Sequence, residues 1–231
     1  MEDLTEVLGP SEDRYLGAGY RRLVTTVDGD IARFIYLPGV GRITDHVTSI
    51  EAVSAALLAS GTTGWRHIDV AAPRQLTPSA ADVLVKVDRD GDETSVLLAG
   101  FTARLSDDSG QPRHLVAAGR SRTTVTGQGL AHHTWAEDTP GVVDLIALMG
   151  ELSQVAIQRE LGLSHADYGQ LVMRRITLDT VDVLPQEHFT SQTELLRFRT
   201  LQLAGREVID VHTSILLDGG THGRGVLAVI R

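Results

Sequence analysis

The chain repeats one structural pattern, an apolar helix followed by a run of alternating strands, first over residues 44–120 and again over residues 139–231. Such a repeat constrains a fold strongly, because both copies must bury their helices in the same way. It also directs attention to the space between the copies as the place for a functional site. Residue identity between the copies is faint, so the repeat is one of pattern.

In the first copy Thr48 and Glu51 have the spacing of a capping box. Behind them Ile50, Val53, Leu57 and Leu58 recur at helical intervals, with alanines between them and Gly61 as a stop. The second helix is expected to use Thr139 as N-cap and Pro140 at its first position, where the missing N–H is no loss. Its apolar stripe is Val142, Ile146, Met149, Leu152 and Val155 or Ala156, and it should run to about Leu161, before Gly162.

Each helix is followed by a strand entering a proline-containing connection, Asp69 to Pro73 in one copy and Asp182 to Pro185 in the other. Meanders then follow. The first has strands over 81–87 and 95–105 with turns at 88–92 and 107–110. The second has strands over 193–203, 208–217 and 225–230, with turns at 204–206 and 218–220. Short Gly/Asp turns between alternating strands indicate antiparallel pairing. A hairpin is also expected at 20–36 around Asp28-Gly29-Asp30, and the least structured stretch is expected at 121–139, joining the copies.

A long apolar helix followed by an antiparallel meander is the pattern of a helix wrapped in a curved sheet, the hotdog arrangement. Two copies make an α+β double hotdog, with halves at 1–120 and 121–231; the alternative is a generic α+β sandwich.

Composition removes several classes. The chain has 231 residues, 42% hydrophobic, enough for a substantial core. No apolar run reaches membrane-spanning length, and Met1-Glu2-Asp3-Leu4 does not open a secretory leader, so a cytoplasmic location without membrane contact is expected. The absence of cysteine fits that compartment and removes disulfides, thiolate metal sites and a cysteine nucleophile. A net charge of −9, with no basic cluster larger than Arg21-Arg22 or Arg174-Arg175, argues against nucleic acid as a partner.

Few residues can carry chemistry. Asp45 and His46 lead into the first helix, after the turn-rich Leu37-Pro38-Gly39-Val40-Gly41. A histidine there can act as base or acid on a substrate while helix N–H groups polarise a carbonyl. The plainer alternative is a surface histidine beside an aspartate that favours the positive helix end, and Glu51 reads more simply as a capping partner. On the second helix Asp144, Glu151, Gln154 and Gln158 share one stripe. That is a solvated face on an ordinary helix, but a carboxylate site if the helix is central. His132-His133 suggests metal only weakly, since neighbours on a strand point oppositely and no third ligand lies at fixed spacing. His212 and His222 could meet across the last hairpin. Serine-hydrolase, nucleoside-triphosphatase and dinucleotide signatures are missing. No cofactor and no metal is expected.

The opening Leu8-Gly9-Pro10-Ser11-Glu12-Asp13-Arg14-Tyr15-Leu16-Gly17-Ala18-Gly19-Tyr20-Arg21-Arg22 resembles the N-terminal signature of the AvrD family, associated with syringolide synthesis. His46-Val47-Thr48-Ser49-Ile50-Glu51-Ala52 and Trp65-Arg66-His67-Ile68-Asp69-Val70 are similar to a second stretch of that family, so the likeness covers about the first third of the chain. The resemblance implies a secondary-metabolism enzyme joining a β-ketoacyl chain, delivered as an acyl-CoA or acyl carrier protein thioester, to a small sugar-like polyol. The AfsA-type butyrolactone synthases, also built from hotdog units, carry out a related reaction. Hotdog dehydratases pair a histidine before one helix with a carboxylate on the other, which here would be His46 with Asp144 or Glu151. In acyl transfer His46 would deprotonate the attacking hydroxyl, with helix N–H groups near Ser49 or Gly141 holding the oxyanion and Gln154, Gln158, Arg174 and Arg175 available to a polyol. Dehydration of a 3-hydroxyacyl chain, and binding of a butyrolactone-like ligand without catalysis, are the competing readings. An exposed sheet edge would suit a homodimer.

Overall fold

Side-chain alternation is clearest at the end of the chain, in β12 (Arg206–Leu217) and β13 (His222–Ile230). Ile209, Val211, Thr213, Ile215 and Leu217 are buried on one face of β12, and Gly223, Gly225, Leu227 and Val229 continue that face on β13. His212, Ser214, Leu216 and Arg224 fall on the other. This period of two lays a sheet over a core on one side only.

The computed structural model describes residues 1–9, 23–36, 49–61, 65–71, 82–98, 101–107, 121–135, 140–163, 170–179, 187–218 and 220–231. Its elements are β1 (Glu2–Asp3), α1 (Leu4–Leu8), β2 (Leu23–Asp28), β3 (Ile31–Tyr36), α2 (Ser49–Ser60), β4 (Trp65–Ala71), β5 (Asp82–Asp90), β6 (Glu93–Leu98) and β7 (Phe101–Asp107). There follow β8 (Ser121–Val125), β9 (Leu130–Trp135), α3 (Val142–Leu161), β10 (Gln170–Asp179) and β11 (His188–Leu203), then β12 and β13. The described strands form one 13-stranded sheet in the order β1-β8-β9-β11-β12-β13-β10-β4-β7-β6-β5-β3-β2.

Outward from the β4–β10 seam the two sides have the same connectivity. One runs β4-β7-β6-β5-β3-β2 and carries α2 between β3 and β4; the other runs β10-β13-β12-β11-β9-β8 and carries α3 between β9 and β10. At the seam the strands are antiparallel, with Ile68 opposite Leu178 and Val70 opposite Ile176, all four buried. Asp69 accepts two hydrogen bonds from Arg175 across the seam, at 2.8 and 2.6 Å.

The repeating unit therefore begins one hairpin earlier than the sequence pattern suggests. Residues 121–135, expected as a loose join, form the β8–β9 hairpin, which lies in the second half just as β2–β3 lies in the first. The reason is visible in β9, where Ala131, His133 and Trp135 are buried and His132 and Thr134 exposed; the polar residues of this alternation disguise a strand as a linker. The single strand expected over 95–105 is two, because Leu98 pairs with Phe101 and the chain reverses between them. The strand expected at 193 begins at His188. The connection at Asp182 to Pro185 lies outside the described residues, as do Thr48 and Thr139. At the Ala204-Gly205 turn both residues have positive φ, 51° and 78°, and Leu203 pairs with Arg206, the two-residue turn whose twist matches the strands it joins.

α3 begins at Val142 with Gly141 as N-cap, two residues later than expected, and ends at Gly162 in the left-handed conformation. From Val142 to Ile157 every residue is buried except Gly150 and Gln154. A helix apolar and buried nearly all round is a core element. Its contact with the sheet is close: a Cβ on Gly223 would lie 1.9 Å from Met149 Cε, and Ser153 Oγ bonds Thr213 Oγ1 of β12 at 2.8 Å. α2 presents Ile50, Val53 and Leu57 to the same core and packs against α3.

Candidate functional site

Three polar features are built into the interior of the second half. The first is the stripe of α3. Gly141 N–H donates to Asp144 Oδ2 at 2.9 Å, which closes the first turn of the helix. Asp144 is 1% exposed and Glu151 2%. Seven residues of helix separate them, about 10 Å along the axis, so the two carboxylates cannot serve one reacting atom. At 100° per residue both lie roughly opposite Met149 and Ser153, the residues that touch β13 and β12. Gln154 and Gln158 continue the stripe and are half-buried. The expected solvated face is therefore largely an interior one. Asp45 and His46 lie outside the described residues. Ser49 opens α2, and nothing is described of its side chain or that of Glu51. Gly141 caps α3, its amide already given to Asp144.

The second feature surrounds His133. Its Nδ1 lies 3.0 Å from Thr123 Oγ1 of β8 and its Nε2 lies 2.7 Å from Ser191 Oγ of β11. The ring stacks on Phe189 at 4.5 Å between centroids, and Phe189 stacks on Trp135. Burial, with His132 beside it, pushes the imidazole down to about 3, because a charge taken out of water is penalised. A neutral ring with both nitrogens engaged is a structural pin. Its neighbour His132 is exposed, as strand alternation demands. Among the described residues no group of three His, Asp or Glu side chains is placed to hold a metal ion. His212 and His222 do not meet: His222 bonds Ser214 at 3.0 Å, whereas His212 lies opposite Val226.

The third feature, which sequence reasoning missed, is a cleft of about 390 Å³ between the C-terminal half of α3, the turn joining β8 to β9, and β11. Val125, Leu152, Val155, Ala156 and Leu195 form its apolar walls, with Thr193, Arg159 and Glu160 among its polar residues. The turn is held tightly. Thr193 N–H donates to Gly129 O at 3.0 Å, and Gly129 has φ +75° with Thr193 O only 2.3 Å from where a Cβ would stand, so only glycine fits there. Arg159 is anchored by the Thr126 carbonyl and the Glu2 carboxylate. Val155 follows Glu151 by one turn on the same side of α3, so the cleft opens next to the carboxylate stripe. The Gly127-Gln128-Gly129 turn was a signal for it, hidden by reading 121–139 as a linker.

No family model matches the sequence, and no curated protein matches it. Solved structures do. The tesB protein of Mycobacterium avium subsp. paratuberculosis has a TM-score of 0.56 at 11% identity, over 94% of this chain and 99% of its own. An acyl-CoA thioesterase II from Mycobacterium marinum has 0.52 at 11%, over 93% and 97%. A protein of unknown function with a hot dog fold from Alicyclobacillus acidocaldarius has 0.52 at 9%, over 90% and 96%. With the apolar helices set against one face of a curved antiparallel sheet, these near-complete overlaps show that the chain has the hotdog fold.

Proposed function

We propose that the protein is an enzyme acting on an acyl thioester, built as a double hotdog with halves 1–120 and 121–231, and that it moves a β-ketoacyl chain from sulfur to a hydroxyl of a small polyol. The observation that carries this reading is the burial of Glu151 in the middle of α3. A glutamate is seldom buried to this extent, and unlike Asp144, which takes the Gly141 amide, it closes no helix end. The structural likeness to an acyl-CoA thioesterase supports thioester chemistry, and the resemblance of the N-terminal third to AvrD proteins supports the acceptor.

In this reading the hydroxyl attacks the thioester carbonyl, the carbon–oxygen bond forms, the carbon–sulfur bond breaks, and the hydroxyl proton ends on the departing thiol. His46, just before α2 in the chain, takes that proton. Glu151 orients the acceptor and stabilises the imidazolium. Because the Gly141 amide is already committed to Asp144, the oxyanion falls to first-turn amides at the Ser49 end of α2.

The test is incubation with a β-ketoacyl thioester, of CoA or of an acyl carrier protein, with and without a pentulose, following thiol and ester by mass spectrometry. Polyol-dependent ester formation is expected, reduced about 100-fold or more by His46→Ala and by Glu151→Gln. Thiol release at the same rate without polyol would identify a hydrolase instead. No release, with turnover of a 3-hydroxyacyl thioester, would identify a dehydratase, and ligand binding with neither reaction a non-catalytic protein.

A further inference from the structure

We infer that the cleft beside α3 is a binding site for a small amphiphile whose polar end donates hydrogen bonds and carries no negative charge, and that in the acyl transfer proposed above, on which this role rests, it holds the hydroxyl acceptor. Three observations select that chemistry.

The first is the mixture of its walls. Val125, Leu152, Val155, Ala156 and Leu195 offer apolar surface beside the polar residues of the lining, and about 390 Å³ falls in the range of small-ligand pockets. The second is Thr193. It is 5% exposed, it lines the cleft, and its Oγ1 has no hydrogen-bond partner among the described residues, although hydroxyls buried to this extent are nearly always paired. Strand alternation puts Thr193 on the helix side of β11, with Phe189 and Ser191.

The third is charge. Arg159, the one cation lining the cleft among the described residues, already serves the Thr126 carbonyl and the Glu2 carboxylate. Glu160 stands exposed in the lining, with no ion-pair partner among the described residues. A fatty carboxylate or a phosphate would meet an occupied guanidinium and an uncompensated carboxylate, whereas an alcohol donates to the acceptors it finds. The cleft reaches Val155, one turn from Glu151 along α3.

The experiment titrates the full-length, isotope-labelled protein with three six-carbon probes, 1,2-hexanediol, hexylamine and hexanoate, and follows the backbone amides by NMR. The diol should shift Gly127, Gly129 and Leu195, and hexanoate should bind about fivefold more weakly or worse. Glu160→Lys, a surface change, should narrow or reverse that preference. Ala156→Phe should fill the cleft and remove diol binding, and Thr193→Val should weaken it several-fold in a protein whose spectrum is otherwise preserved.

Equal or tighter binding of hexanoate, shifts confined to other residues, or diol binding that survives Ala156→Phe would overturn the site, and binding of hexylamine alone would overturn its role as the pocket for a hydroxyl acceptor. A protein that turns over thioesters but does not bind the diol here would overturn this inference and leave the proposed function standing. Diol binding here without thioester turnover would support the site and overturn its role as the acceptor pocket.

Discussion

His133 is the residue whose chemistry the fold changes most. In the unfolded chain its imidazole titrates near 6.5, and in the folded protein burial holds it down to about 3. Between these values the unfolded state binds the extra proton, so stability rises with pH across the window, is fully present above about 6.5 and drains away as pH falls toward 3. The slope attributable to this one group is about 1.4 kcal/mol per pH unit. Urea unfolding at pH 7, 6 and 5 should show that loss, and His133→Gln should flatten it over the same range; an unchanged slope in the variant would mean that the ring takes up its proton alike in the folded and unfolded states. Asp3 is the opposite case. The Thr5 amide, donating to its carboxylate at 2.9 Å, holds it below the usual range, so its contribution is present above its unfolded pKa and lost only in acid. The contrast follows from burial, since Asp3 keeps water and His133 does not.

At the scale of elements, the approach of α3 to the sheet depends on glycine. Gly223 leaves room for the thioether end of Met149, which is 1% exposed and would have to shift within the core. Gly223→Ala should cost about 1–3 kcal/mol by overpacking, measured as a fall in unfolding temperature. Met149→Ala in the same chain should recover part of that loss, because the two sites share one volume and their effects are not additive; strict additivity would show that the clash is relieved elsewhere. The outer face of the sheet has its own logic. Arg174, Arg197, Arg199 and Arg224 come from β10, β11 and β13, and the buried Asp210 of β12 lies 3.4 Å from both Arg174 and Arg199. In the sequence Arg174, Arg199 and Asp210 are far apart, and only strand register brings the two arginines to one carboxylate.

For the whole molecule, the seam between β4 and β10 is the decisive contact. Its inward residues, Ile68, Val70, Ile176 and Leu178, belong to one core that also contains parts of α2 and α3. Cutting the chain at 120 would uncover the part of β10 that pairs with β4, Arg175 to Asp179, an edge that attracts other strands. Residues 121–231 expressed alone should therefore self-associate, two copies pairing through β10 in place of β4, as read by light scattering. A stable monomeric half would show instead that each half holds its core without the seam.

The helices and most hairpins could be read from the sequence because their signals are local. The i, i+3, i+4 spacing of α2 and α3, the stops at Gly61 and Gly162, and the turns at Gly29 and Ala204-Gly205 depend on a few neighbouring residues each. So did the repeat, and with it the expectation of a helix held against a curved antiparallel sheet. Where pairing over distance decided the outcome, local signals misled: β9 looked like a linker because half of its residues are polar, and the break between β6 and β7 shows only in their register. The stripe of Asp144 and Glu151 was legible as a spacing, but its burial was not, since that depends on what packs around α3. The cleft left only one local trace, the Gly127-Gln128-Gly129 turn, because Val125, Ala156 and Thr193 become neighbours only when β8, α3 and β11 meet. Periodicity alone thus determined the helices and most of the strands, whereas tertiary contacts decided the remaining pairings, which polar groups lie in water and which lie in the core, and it is loss of water that turns an ordinary carboxylate, hydroxyl or imidazole into a group with a specific chemical role.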